Sequence, residues 1–332
     1  MNPFSAFHSK PDRPNRWAVA LTFSLSLITG CTSTSQPVVE ATLGQTSSSS
    51  KLRATLTTPG PIVLEKVLAA RWMIDRAGLI NLKHEHAIEA GLTSGEEPIK
   101  IYFYRVTHPE FGSFLIDSGI ARSFKKPSAI PQVSWIVKKV MNTTALEPAT
   151  STGDWLEQTG IKLSGVFLTH IHLDHIFGMP DIPANVPVYT GPGETEVRSL
   201  QNAFTQGTTD RLLANIQTLH EWQFESDPDE ALAGVIDIFG DGSLWALHVP
   251  GHTPGSTAFV ARTATGPHLI TGDASHTTWG WNNGVEPGTF SLDIERSRES
   301  LAALKALEAD YESLSVHPGH QRKTQGLDQA SN

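Results

Sequence analysis

Thr169-His170-Ile171-His172-Leu173-Asp174-His175 sets three histidines and one aspartate within positions 170–175. The apolar stretch from Leu163 to Leu168 reads as a short buried strand running straight into it. In an extended segment, side chains two apart share a face, so His170 and His172 can grip one ion together. If the chain then turns, Asp174 and His175 are carried to a second ion nearby. Imidazole and carboxylate ligands without thiolate suit Zn, Fe, Mn or Co, and geometry rather than softness chooses among them. The chain has 14 His against 4 Tyr and a single Cys, Cys31. Metal chemistry is therefore expected, and a disulfide framework or a Cys-rich metal site within one chain is excluded.

On both sides of this run the chain alternates strand and helix patterns. Ile99 to Val106 alternates apolar and polar residues and reads as a strand, and Ser113 to Ile116 returns from a turn towards Asp117-Ser118-Gly119. Asp154 to Thr159 reads as a helix end stopped by Gly160. Residues 194–216 read as an amphipathic helix marked by Leu200, Phe204, Leu212 and Leu213. Ser243 to Val249, Ser256 to Ala261 and His268 to Thr271 read as strands. Asp293 to Leu307 reads as a helix with Ser291 as its N-cap. Segment 61–80 fits either helix or strand. The acidic stretch 225–230 reads as a solvated loop.

Three further motifs follow in order. They are Val249-Pro250-Gly251-His252-Thr253-Pro254-Gly255-Ser256, Thr271-Gly272-Asp273 at a strand end, and Ser315-Val316-His317-Pro318-Gly319-His320. With them, the chain resembles the metallo-β-lactamase superfamily, whose signature is His-x-His-x-Asp-His at such a strand end. The second motif is similar to its Gly-His-Thr-x-Gly turn, the third to its bridging Asp, and the fourth to its late Pro-Gly-His. The resemblance implies an α/β fold, a four-layer αββα sandwich in a single domain with the site at one rim. It implies two divalent metal ions, zinc foremost. One would be held by His170, His172 and His252, the other by Asp174, His175 and His320, with Asp273 bridging both.

Two metals sharing a water can lower its pKa and aim a hydroxide at an electrophile. Asp174 also sits where a proton could pass from water to leaving group. Gly272-Asp273-Ala274-Ser275-His276-Thr277 resembles the Asp-Ala-Ser-Tyr-Thr of acyl-homoserine lactonases, with His276 where their Tyr helps to polarise the substrate carbonyl. The implied activity is hydrolysis of a lactone or related ester by a metal-bridging hydroxide. A phosphotriesterase or phosphodiesterase on the same site is the alternative. A metal-binding lipoprotein without turnover is a third reading, disfavoured by the complete set of five His and two Asp. His317 reads as structural. Phe177, Trp279 and Trp281 follow ligand motifs and fit either pocket or core. His84, His86 and His108 carry no motif.

The N-terminus reads as an address. Lys10, Arg13 and Arg16 precede the apolar run Trp17 to Ile28, which is too short for a membrane span of roughly 20 residues but suits a signal peptide. Ile28-Thr29-Gly30-Cys31 resembles the lipobox of bacterial lipoproteins, which implies cleavage before Cys31 and its acylation. The expected organisation is a signal peptide over 1–30, a Ser/Thr-rich tether over 31–51, the hydrolase domain over 52–322 and a flexible tail over 323–332. The expected location is the bacterial cell envelope, in the outer membrane and facing the periplasm. With 25 Lys+Arg against 34 Asp+Glu, a net charge of −9, a nucleic-acid partner is excluded and a small-molecule substrate expected.

Overall fold

A computed structural model describes residues 31–126 and 130–323. Fourteen strands follow one another among these residues: β1 (Val38–Glu40), β2 (Gln45–Thr46), β3 (Val63–Asp75), β4 (Glu96–His108), β5 (Gly112–Ile116), β6 (Glu147–Pro148), β7 (Leu163–Phe167), β8 (Val188–Thr190), β9 (Leu219–Glu221), β10 (Val235–Asp237), β11 (Leu244–His248), β12 (Thr257–Thr263), β13 (Gly266–Ile270) and β14 (Ser315–His317). They form an eight-stranded sheet ordered β1-β9-β8-β7-β5-β4-β3-β6 and a six-stranded sheet ordered β14-β13-β12-β11-β10-β2.

The layering follows from strands that are apolar on both faces. On β4, Tyr102, Tyr104 and Val106 pack between the sheets with Phe114, Phe167, Ala246, Phe259 and Ile270. Their neighbours Ile101 and Phe103 face the other way, into a core shared with the helices outside the larger sheet. On β11 and β12, Trp245, Leu247, Ala258 and Val260 face outward against Leu301, Leu304 and Leu307 of helix Ile294–Asp310. Period-two alternation in which both faces are apolar requires a cover on each side. The expected αββα arrangement is what is found.

β5 and β7 run parallel, as do β13 and β14. β11 and β13 both run antiparallel to β12, hence parallel to each other. The C-terminal ends of β5, β7, β11, β13 and β14 carry the motifs singled out above. Two sheets packed face to face thus bring five separated segments together.

Segment 61–80 is strand β3 followed by the short helix Arg76–Leu79. The helix expected over 194–216 is confined to Asn202–Leu212. Helix Ile294–Asp310 is capped by Asp293, whose side chain accepts from Arg296 N, and not by Ser291.

Residues 31–51 are a larger correction, because they do not form a tether. β1 pairs with β9 and β2 with β10, so this segment supplies an edge strand to each sheet. Thr34 Oγ1 donates to Asp210 at 2.6 Å, and Ser49 donates to Asp227 through its amide at 3.1 Å and its hydroxyl at 2.5 Å. Asp227 is buried and also accepts from the amides of Asp229, Ala231 and Leu232. The stretch 225–230 is the exposed loop expected, except that Asp227 turns inward as an internal carboxylate. An edge strand needs backbone pairing more than apolar side chains, and hydroxyls that meet carboxylates are stabilised by charge-assisted hydrogen bonds. The expected signal peptide, 1–30, and positions 324–332 of the expected tail lie outside the described residues; Lys323 closes onto Glu308.

Candidate metal centre

After β7 the chain passes through His170 and His172 in extended form and enters the short helix Leu173–Ile176, with His172 as N-cap. This change of conformation turns Asp174 and His175 away from the first pair. His252 comes from the turn after β11, Asp273 from the single turn Gly272–Ala274 after β13, and His320 from the chain after β14. All of the residues expected to bind metal meet in one cluster.

His252 Nε2 lies 2.8 Å from His172 Nδ1 and 3.2 Å from His170 Nε2. One ligand atom from each of these three histidines falls within 4.8 Å of the others, and the same holds for Asp174, His175 and His320. Asp273 stands between the groups. Its Oδ2 is 3.2 Å from His175 Nε2, 3.5 Å from His252 Nε2 and 3.7 Å from His170 Nε2, and its Oδ1 is 3.2 Å from His320 Nε2. Asp174 Oδ2 lies 3.4 Å from His320 Nε2.

The electrostatics differ between the two groups. Burial pushes His170 and His252 well below the ordinary histidine range and His172 down to about 4, and neighbouring histidines add to the shift of each. Neutral imidazoles present lone pairs, the form that ligates a cation. At His175 and His320 burial also pulls downward, but Asp273 foremost, with Asp174 beside both and Asp117 beside His175, carries them above it. Burial pushes Asp273 up, but His276, His320 and His175 together take it well below the usual carboxylate range. Asp273 Oδ1 is buried with no hydrogen-bond partner among the described residues. Clustered imidazole nitrogens around a buried carboxylate with one unsatisfied oxygen are costly unless cations join them, so this donor set fits two divalent ions.

His276 belongs to the cluster. Its Nε2 is 3.1 Å from Asp273 Oδ2 and its ring stacks on His320, while its Nδ1 is buried without a hydrogen-bond partner among the described residues. His317 does not join it and pairs with His268 at 3.1 Å. Phe177 and Trp281 are fully buried core residues, and Trp279 packs partly buried against the core. His84 caps helix Glu85–Glu89, His86 meets Asn283 O, and His108 bonds Asp241 at 2.9 Å.

Several residues that hold the site carry no assignment from sequence. The chain leaves β5 through Asp117 at φ 58°, a left-handed conformation that Asp tolerates better than most residues. Its carboxylate meets His175 Nδ1 at 2.8 Å and accepts from Thr169 N at 2.8 Å. Ser291 Oγ lies 3.2 Å from His252 Nδ1, and the Lys100 carbonyl 3.0 Å from His320 Nδ1. Such partners orient ligating rings. Glu194 lies buried beneath the cluster, and burial raises its carboxyl to about 7 against the pull of Thr253 and two amides. Asp117 was visible as an acid at a strand end before Ser-Gly. Glu194 follows Gly191-Pro192-Gly193, a turn signal that argues against starting a helix there.

Comparison with known proteins agrees with this geometry. Residues 95–320 match the family model described as Metallo-beta-lactamase superfamily. The chain is 29% identical over 243 residues to the N-acyl homoserine lactonase AttM of Azorhizobium caulinodans, covering 71% of this chain and 87% of that protein. Against AttM of Agrobacterium fabrum it is 26% identical over 240 residues, with the same coverage. Among solved structures, a mutant of Bacillus thuringiensis AiiA with N-decanoyl-L-homoserine bound at the active site aligns with a TM-score of 0.56 at 21% identity, covering 79% of this chain and 94% of that one. AidC, a dizinc quorum-quenching lactonase in complex with a product, aligns with a TM-score of 0.51 at 14% identity, covering 81% and 94%. The chain belongs to the metallo-beta-lactamase superfamily and is a metal-dependent hydrolase.

Proposed function

We propose that this chain is a two-metal hydrolase of lactones, N-acyl homoserine lactones foremost. The observation that carries the reading is the meeting of two three-residue ligand sets on one buried carboxylate, Asp273, in a chain whose relatives include lactonases. His170, His172 and His252 would hold one ion and Asp174, His175 and His320 the other, with Asp273 shared. Zinc is the metal proposed, and the same donors accept iron, manganese or cobalt. When bound, such a pair supplies an activated water at neutral pH and polarises the attacked carbonyl.

The chain's own residues do the rest. Asp174 is 17% exposed against 3% for Asp273, so it is the more open carboxylate of the cluster. It takes the proton from the attacking water as the new C–O bond forms, and delivers it to the ring oxygen as the acyl C–O bond breaks. The product is a hydroxy acid. His276 donates a hydrogen bond to the carbonyl oxygen on which negative charge develops.

Turnover on one panel of acyl-homoserine lactones, simple lactones, phosphotriesters and β-lactams tests the reading. Lactone hydrolysis with two metals per chain is expected. Turnover confined to phosphoesters would overturn the substrate class, and no turnover with fewer than two metals would overturn the enzyme reading.

The reading includes attachment to a bacterial envelope membrane through acylated Cys31. Its support is that Cys31 is exposed and follows the basic flank and apolar run of 1–28. Wild-type protein is expected in the membrane fraction and Cys31→Ser in the soluble one. Equal partitioning of both would sink the anchor.

A further inference from the structure

Three imidazoles expected to share one ion come from two backbone loops, and a single buried side chain spans both. Glu194 Oε2 accepts from Ile171 N at 3.0 Å, the amide between His170 and His172. Its Oε1 accepts from Gly255 N at 2.8 Å, in the turn that carries His252. Thr253, next to His252, adds a side-chain hydrogen bond to the same carboxylate. None of these contacts reaches the loops that supply Asp273 or His320.

The surroundings are built to admit this side chain. A Cβ on Gly255 would stand 2.7 Å from Glu194 Cγ, and one on Gly191 would stand 1.8 Å from the Gly255 carbonyl oxygen. Gly193 N donates to Glu221 at 2.9 Å, which fixes the turn that presents Glu194. Among the described residues, the two loops are otherwise tied directly at the backbone by Thr257 N, which donates to the Thr169 carbonyl at 2.8 Å.

We propose that Glu194 is a positioning residue that clamps the His170–His172 loop to the His252 turn and so preforms one of the two metal sites, leaving the other to stand without it. A carboxylate suits this task because both its oxygens accept, and the two loops each present an N–H. An amide of the same shape would turn an NH2 towards one of those donors. Ligand-supporting groups of this kind change metal affinity by roughly 10–100-fold.

The inference rests on the two-metal reading, so the test is metal uptake rather than activity. Zinc or cobalt is titrated by equilibrium dialysis into wild type, Glu194→Gln, His172→Ala and the double variant, with thermal melts of the metal-free proteins alongside. Wild type is expected to take two equivalents. Glu194→Gln should keep one unchanged and bind the other roughly 10–100-fold more weakly. The double variant should lose no more than His172→Ala alone, because both act on the same site. Unaltered uptake by Glu194→Gln would overturn the proposal, as would equal weakening of both equivalents, which marks a general structural residue. If the melts show Glu194→Gln to be unfolded, Thr253→Val, which leaves both amide contacts of Glu194 in place and takes the Thr253 hydroxyl from Glu194 and from Ser256, becomes the deciding variant under the same two criteria. Wild-type protein taking up no metal would overturn the two-metal reading and this proposal with it.

Discussion

Asp273→Ala is expected to reduce lactone turnover roughly a thousand-fold and metal content below two per chain. The carboxylate lies within 3.7 Å of four imidazole nitrogens in both ligand sets and of His276 besides. No other acid among the described residues could replace it, since Asp174 approaches only His175 and His320. Removing it leaves raised, cation-prone His175 and His320 in a buried site without their main counter-charge. Melting measured against added zinc gives a second view. A ligand that binds only the folded state stabilises by about 2.7 kcal/mol at a hundred times its Kd. Wild type should show that metal-dependent rise and Asp273→Ala only a fraction of it. Two tightly bound metals with near-normal turnover in the variant would remove Asp273 from the centre of the mechanism.

The second large effect is expected at His276. Loss of one donor aimed at a developing oxyanion lowers kcat by about 10²–10³-fold. His276→Phe keeps an aromatic ring to stack on His320 while removing both nitrogens. If the ring serves the substrate carbonyl, kcat should fall by about a hundredfold with a smaller change in KM, and two metals should remain bound. His276→Tyr returns a donor and should recover part of the loss. The contrary outcome is informative, because His276, His252 and Asp273 also bring one ligand atom each within 4.8 Å of one another. Loss of one metal equivalent in His276→Phe would make it a ligand and not a donor to substrate.

How much of this was legible before folding differs between the ligands and what holds them. His170, His172, Asp174 and His175 sit within one run whose geometry is local. Extended backbone pairs the first two and one helical turn redirects the others, so spacing alone separates the two sets. His252, Asp273 and His320 each lie in a Gly-containing turn after an apolar strand, a local pattern too. Strands apolar on both faces required a layer on each side.

The supports are legible only in space. Asp117 reaches His175 across 58 positions, Glu194 reaches Gly255 across 61, and Ser49 reaches Asp227 across 178. Each is a short polar side chain whose value comes from a partner that neither periodicity nor spacing reveals. The same holds for 31–51, where ten of the twenty residues 32–51 are Ser or Thr. Composition there speaks for a solvated chain, and it becomes edge strand because two sheets leave backbone donors and acceptors open beside it. Ligand identity is a property of short stretches and survives in one dimension. Which acids orient the ligands, and where the domain begins, depend on hydrogen bonds between distant segments, and folding decides those.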